Sequence, residues 1–223
     1  SYFMVFLQQA GGTMYTGDGR AAFNTDAGLE ALQCMVDLMP FTHPSSLSLT
    51  SINGATAAFM NGEASMMMNW PFMWDPLNDR QTSPLTGKVQ TSLLPAGPAG
   101  TASIDGADAW TISAKTKQQD LATRLISFFL SVEMQVQQAV ATGWLPVRRS
   151  AYDDARVARA CPQASVVAQQ AQHPYSSFLT PDYDAITEAL GREIIKALAG
   201  KEEPKVALAA AERSVNAIVN ARD

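Results

Sequence analysis

FMNGEASMMMNWPFMW, residues 59–74, is the stretch on which the reading of the whole chain turns. A helix end, Phe59-Met60-Asn61, runs into Gly62, a natural left-handed cap. The segment from Ala64 to Asn69 contains three consecutive methionines and is apolar on both faces. That pattern predicts a strand inside a sheet covered by helices, with Met66, Met67 and Met68 in the core. Pro71 cannot continue a ladder, so the chain must leave the sheet at Trp70-Pro71. In open α/β sheets, ligand crevices form just beyond the C-terminal ends of strands. Trp70, Phe72 and Trp74 would then stand on a loop at such a rim.

The chain on either side of this corner alternates helices and strands. Upstream, residues 1–8 read as a short helix or buried strand broken by Gly11-Gly12. Residues 13–23 read as a loop or hairpin turning at Gly17-Asp18-Gly19. A helix is predicted from Asp26 to Met39, capped by Asn24 or Thr25 and ended by Pro40. Leu29, Leu32, Val36 and Met39 share its apolar face, with Met35 beside them. A short helix from Ala55 to Asn61 leads into the opening stretch. Downstream, Lys88 to Leu94 reads as a strand, and Ser103 to Ser113 as another, broken near Gly106. A helix from Gln118 to Leu130 points Leu121, Leu125, Phe128 and Phe129 inward. Ser131 caps the next helix, which ends near Gly143, and residues 144–150 form an extended crossing. Three further helices follow: one after Pro162, one from Thr180 or Asp182 to about Gly200, and one opened by Pro204. The class is α/β.

Composition narrows the function. The 223 residues are 47% hydrophobic and 17% charged with a net charge of −5, which is ordinary globular chemistry. Arg148-Arg149 is the one adjacent basic pair, so nucleic acid is set aside as a partner. No apolar run approaches the roughly 20 residues of a membrane span. The chain opens on Ser1-Tyr2-Phe3-Met4 without a leader-like pattern, and is expected to be the interior of a longer protein. Cys34 and Cys161 read as two separate thiols, or as one disulfide if the compartment is oxidising and their Cα atoms are close. His43 and His173 each precede a proline in a loop. No ligand-spaced set surrounds them, so no metal or cofactor is expected.

The corner suggests its own chemistry. Flat aromatic faces bury much apolar area at little entropic cost, and a sugar ring offers such a face. Its hydroxyls must then be paired. Asn69 offers donor and acceptor, and Asp105 and Asp108, on either side of Gly106, could each accept from neighbouring hydroxyls. Gly106 lets backbone approach a ligand closely. Arg148 is a further candidate ligand contact. The same residues allow a plainer account. Trp70, Phe72 and Trp74 could be core, Asp105 and Asp108 turn formers, and Arg148 a solvated charge or ion-pair partner.

Residues 57–71, AAFMNGEASMMMNWP, resemble the hallmark segment of the family 1 extracellular solute-binding proteins. These are the sugar receptors of ABC importers, including the maltose-binding type. Other pieces agree in order: Gly11-Gly12, Gly28-Leu29-Glu30-Ala31-Leu32, Gly87-Lys88-Val89, Ile112-Ser113-Ala114-Lys115, Phe128-Phe129-Leu130-Ser131 and Gly143-Trp144-Leu145-Pro146-Val147-Arg148. The resemblance covers essentially the whole chain and implies a two-lobe, type II periplasmic-binding-protein-like fold, of which this is mostly the C-terminal lobe. It implies that residues 1–104 begin that lobe, 105–146 hold the hinge crossings and a segment of the N-terminal lobe, and 147–223 return. The crossings would lie near Gly106 and Leu145-Pro146.

The resemblance also implies a sugar-stacking role for Trp70 and Phe72, with Trp74 in support, and a looser aromatic contact at Tyr2. Where the family usually reads Gly-Gly-Trp, this chain has Gly106-Ala107-Asp108, a carboxylate in place of an aromatic. The implied function is capture of a carbohydrate between two lobes and delivery to a membrane permease, in the periplasm or anchored outside the cell. Another polar solute, such as a polyol or sugar phosphate, is the alternative ligand class. Carboxylates near the site favour a neutral or cationic ligand. An enzyme reading would need paired acids or a nucleophile with its base, and neither is marked. A third reading is an interaction domain that binds no small molecule, its aromatic loop an exposed patch prone to self-association.

Overall fold

The computed structural model describes residues 2–48, 52–106, 108–176 and 180–221; for residues 52, 53, 105 and 174–176 only the backbone is described. The chain divides into two compact units. The first comprises Ser1–Met66, Leu94–Asp105 and Gln170–Asp223, and the second Met67–Leu93 and Gly106–Gln169.

The first unit is built on helices α1 (Tyr2–Gln9), α2 (Asp26–Leu38), α3 (Ile52–Met60), α9 (Tyr183–Leu198) and α10 (Pro204–Asn220). It also holds the parallel strands β1 (Ser103–Asp105) and β2 (Pro174–Ser176), with Ile104 opposite Tyr175. Helix α2 starts where expected: the Thr25 hydroxyl accepts from the Gly28 amide at 3.3 Å. Pro40 turns its end into a short 3-10 segment, Met39–Phe41. The predicted hairpin is present as a single antiparallel bridge, Tyr15 with Ala21.

Helices α9 and α10 bury one stripe each, Ile186, Leu190, Ile194 and Ala197 on the first and Ala207, Leu208, Ala211 and Val215 on the second. The spacing is that of one helix face. These stripes close with Phe3, Met4, Leu7, Met14, Phe23 and Leu32 into one core. Two polar ties lock the 13–24 loop to α10: Asn24 donates to Glu212 at 2.7 Å, and the Ala21 amide donates to Asn216 at 2.9 Å. Glu63, which looks solvated in the sequence, pairs with His43 at 3.0 Å. His43 accepts from the Ser45 amide through Nδ1, which leaves the proton on Nε2 facing Glu63.

The second unit contains α4 (Trp74–Asn78), α5 (Gln119–Phe129), α6 (Val132–Thr142), α7 (Ala155–Ala160) and α8 (Ala164–Gln170), the last ending one residue beyond the unit's limit. Its core joins Val136, Ala139, Ala151, Val157, Cys161 and Ala164, with Leu145 and Tyr152 packed against it. Ser131 caps α6 by accepting from the Met134 amide, and Gly143 ends it at φ +69°. Cys161 is buried, its thiol donating to the Ala139 carbonyl at 3.6 Å, while Cys34 is exposed; both thiols are free. Burial, reinforced by the charge of Asp75, pushes the Cys161 thiol up and makes it unreactive.

Three expectations fail. Ala64 to Asn69 is extended but belongs to no ladder, and Lys88 to Leu94 is likewise irregular. The strand expected over Ser103 to Ser113 pairs only as far as Asp105. Strands need partners, and among the described residues β1 and β2 supply each other's alone. The methionine run is therefore not core: Met66 is 89% exposed, and Met67 and Met68 are half-buried. The apolar face of α5 is also open, with Leu121, Leu125 and Phe128 each more than half exposed.

One surface network fixes the start of α7. Asp154 accepts from the Arg156 amide at 2.8 Å and pairs with its guanidinium, which also reaches Glu133 at 3.0 Å. These hydrogen bonds from Arg156, side chain first, lower the Asp154 carboxyl from 3.8 to about 2. A pKa lower in the folded state gives stability that is present above about 3.8 and lost as pH falls through about 2. Asp154→Asn is therefore expected to melt below the parent at pH 5 and alongside it near pH 2, as read by thermal unfolding. A Tm gap that persists unchanged at pH 2 would mean that Asp154 acts only through packing.

Candidate functional site

The corner after the methionine run is a turn of 3-10 helix. Trp70 is its extended N-cap residue, at φ −77° and ψ 152°, and Pro71–Met73 form the turn itself. Proline at the first position fixes the turn without losing an amide bond. The Asn69 side chain clamps the entry: its oxygen accepts from the Trp70 amide at 2.8 Å, and its nitrogen contacts the Met67 sulfur at 3.4 Å. Met73 and Leu77 point inward and are buried, whereas Trp70 and Phe72 are 38% and 39% exposed. Trp74 is half-buried at the start of α4, and its carbonyl accepts from Asn78 at 3.0 Å. The loop thus divides its large side chains between an anchor and an open aromatic pair.

Gly106 meets this loop. A Cβ placed on Gly106 would lie 3.1 Å from Trp70 Nε1 and 3.9 Å from its Cδ1. Asp108 is exposed in the same unit, and the side chain of Asp105 and all of Ala107 lie outside the described residues. Arg148 is exposed and pairs with no carboxylate among the described residues. Its Nε donates to the Leu130 carbonyl, the residue that ends α5, which is favourable for a cation at a helix C-terminus.

Asn69, Trp70, Phe72, Trp74, Gly106, Asp108 and Arg148 all belong to the second unit. Tyr2 belongs to the first, on the opening turn of α1, with an exposed ring. Sequence reasoning used Trp144 only as part of the resemblance and passed over Trp110; both are exposed. Trp110 stacks on Phe129 with centroids 5.7 Å apart and planes 6° apart. The signal available was a lone aromatic among small and polar residues, Ala107-Asp108-Ala109-Trp110-Thr111. Among the described residues no three His, Cys, Asp or Glu side chains gather as metal ligands. No described helix is long and apolar enough to cross a membrane.

Comparison with known proteins gives the family and the fold. Residues 1–162 match the family model described as bacterial extracellular solute-binding protein. A probable ABC transporter-binding protein of Deinococcus radiodurans is 24% identical over 203 residues, covering 89% of this chain and 48% of that one. The maltose-bound MalE3 of T. maritima superposes with a TM-score of 0.81 at 25% identity, over 97% of this chain and 56% of the other. The cyclic α-maltosyl-1,6-maltose binding protein of Arthrobacter globiformis gives 0.77 at 29% identity, over 98% and 55%. MalE of Xanthomonas citri gives a TM-score of 0.83 at 20% identity, over 99% and 56%, and so shows the fold. The fold is that of the type II periplasmic binding proteins, and the chain spans about half the length of the relatives that it matches. By the match over its first 162 residues, the chain belongs to the bacterial extracellular solute-binding proteins.

Proposed function

We propose that this chain is the greater part of the C-terminal half of a carbohydrate receptor that serves an ABC importer outside the cytoplasmic membrane. Trp70 and Phe72 stack on the sugar, Trp74 supports them, and Asn69 holds the loop in shape. Asp108 accepts from ring hydroxyls. No bond is made or broken; the ligand is captured and passed to a membrane permease. The observation that carries the reading is the open aromatic pair, held out by Asn69 and Pro71 beside Gly106, in a chain whose structural relatives include maltose-binding receptors.

In this reading residues 1–104 begin the C-terminal lobe, 105–146 contain the crossings and an N-terminal-lobe segment, and 147–223 return. The change of unit between Asp105 and Gly106 supports a crossing there, whereas the same division groups residues 67–93 and 147–169 with 106–146. The test is tryptophan fluorescence of the intact protein against a panel containing maltose, maltotriose, monosaccharides and a polyol, ribitol. A saturable change with one class of ligand is expected. Silence across the panel, with proper folding, overturns the carbohydrate reading.

The open face of α5 favours a second behaviour for the 223-residue chain on its own. Leu121, Leu125, Phe128 and the stacked Trp110–Phe129 pair form an exposed apolar surface within the second unit, and such patches associate. The isolated chain is expected to self-associate at micromolar concentrations and to bind sugar weakly. Sedimentation velocity checks this: Leu125→Glu with Phe128→Glu should return it to monomer. A monomer that binds sugar tightly without those changes would refute it.

A further inference from the structure

Gly106 has no conformational reason to be glycine: its φ is not among the left-handed values that seven other glycines adopt, such as Gly143 at +69°. What it lacks is a side chain where the Trp70 indole comes to rest. A Cβ there would stand 3.1 Å from Nε1, inside ordinary van der Waals separation. The next nearest atom is Cδ1 at 3.9 Å, so the glycine meets the pyrrole edge of the ring rather than either of its faces. Edge seating leaves the faces open to a flat ligand. The seat also lies where the chain re-enters the second unit, immediately after Asp105.

We propose that Gly106 is a positioning residue for the ligand platform: its missing Cβ seats the edge of the Trp70 indole and so sets the plane on which a ring stacks. The ligand half of this inference rests on the carbohydrate reading; the seating half does not. Trp70 is 38% exposed, so the indole can yield to an added methyl group while the fold stays intact. Gly106→Ala should therefore tilt the ring, and Gly106→Val should tilt it further. With Trp70 shortened to a phenyl ring, Nε1 is gone and the added methyl group meets nothing.

The experiment uses the intact protein in four forms: parent, Gly106→Ala, Trp70→Phe and the double variant, with Gly106→Val added to extend the series. First, without ligand, subtracting the Trp70→Phe spectrum from the parent isolates the Trp70 emission. The same subtraction in the Gly106→Ala background is expected to give a red-shifted emission that acrylamide quenches more readily, with Gly106→Val further along. Second, maltotriose titration is expected to show affinity falling about fivefold on Gly106→Ala, the factor corresponding to about 1 kcal/mol of displaced packing. No further loss is expected when the same change is made in Trp70→Phe.

A purely structural glycine would lower affinity equally in both backgrounds, and that result overturns the proposal. Unchanged Trp70 emission in both Gly106 variants overturns it as well. A shifted emission with no sugar response in any form leaves the seat standing and removes the carbohydrate reading. Sugar binding lost on Trp70→Ala but indifferent to Gly106→Ala and Gly106→Val does the reverse.

Discussion

Gly28→Ala is expected to lower the melting temperature by roughly 6–12 °C, although glycine is the poorer helix former by about 1 kcal/mol. Gly28 sits in the first turn of α2, its amide already given to the Thr25 cap. A Cβ there would lie 1.8 Å from the Phe23 carbonyl oxygen and 3.0 Å from the carbon. That carbonyl cannot step aside. It accepts from the Thr25 amide at 3.0 Å, and the Phe23 ring is fully buried edge-on against Phe3, with centroids 6.1 Å apart. Overpacking of this kind costs about 3 kcal/mol, and about 2–4 °C is lost per kcal/mol in a chain of this size. Gly191, in the middle of α9, is the control, since nothing lies within 4 Å of its added Cβ. Gly191→Ala should raise the melting temperature by a few degrees. Circular dichroism melts of the two variants check the pair, and shifts of the same sign would refute the packing argument.

Trp70→Ala carries the second large effect, on binding rather than on folding. A tryptophan face covering a sugar ring contributes about 2 kcal/mol, so affinity should fall roughly 30-fold. Because the side chain is already more than a third exposed and its neighbour Met73 provides the buried anchor, the melting temperature should hardly move. Phe72→Ala should behave similarly with a smaller loss. Titration calorimetry of the intact protein, alongside a thermal melt of each variant, separates the outcomes. A large fall in stability with affinity unchanged would make the corner a piece of core and send the search for the ligand elsewhere.

Some of this was legible in the residues alone. Helix α2 could be read to within a residue, because a Thr cap, an acidic first turn and a terminating proline act locally. The Ser131 cap with Gly143, and Pro204 at the head of α10, are the same kind of signal. The aromatic corner was also legible, since Pro71 interrupts extended structure wherever it stands. The strands were not. Alternation and apolar character describe what a strand could bury, but a ladder exists only where a partner lies alongside, and that is a long-range fact. Met66-Met67-Met68 has the composition of a sheet interior and stands open.

Position-specific roles divide in the same way. From sequence, Arg148 could be a free charge or half of an ion pair; the fold makes it the donor that closes α5 at Leu130. Glycine at 106 suggested room for a ligand, and the fold fills that room with the edge of Trp70. By itself the sequence determined α2, α6 and α10 and the place where the chain must turn, since those follow from bonds spanning three or four residues; it did not give α4 or α7. Only the tertiary structure decided which apolar faces are covered, which glycines are irreplaceable and where the Trp70 ring rests. Each of these depends on atoms brought together from distant parts of the chain, which no local pattern records.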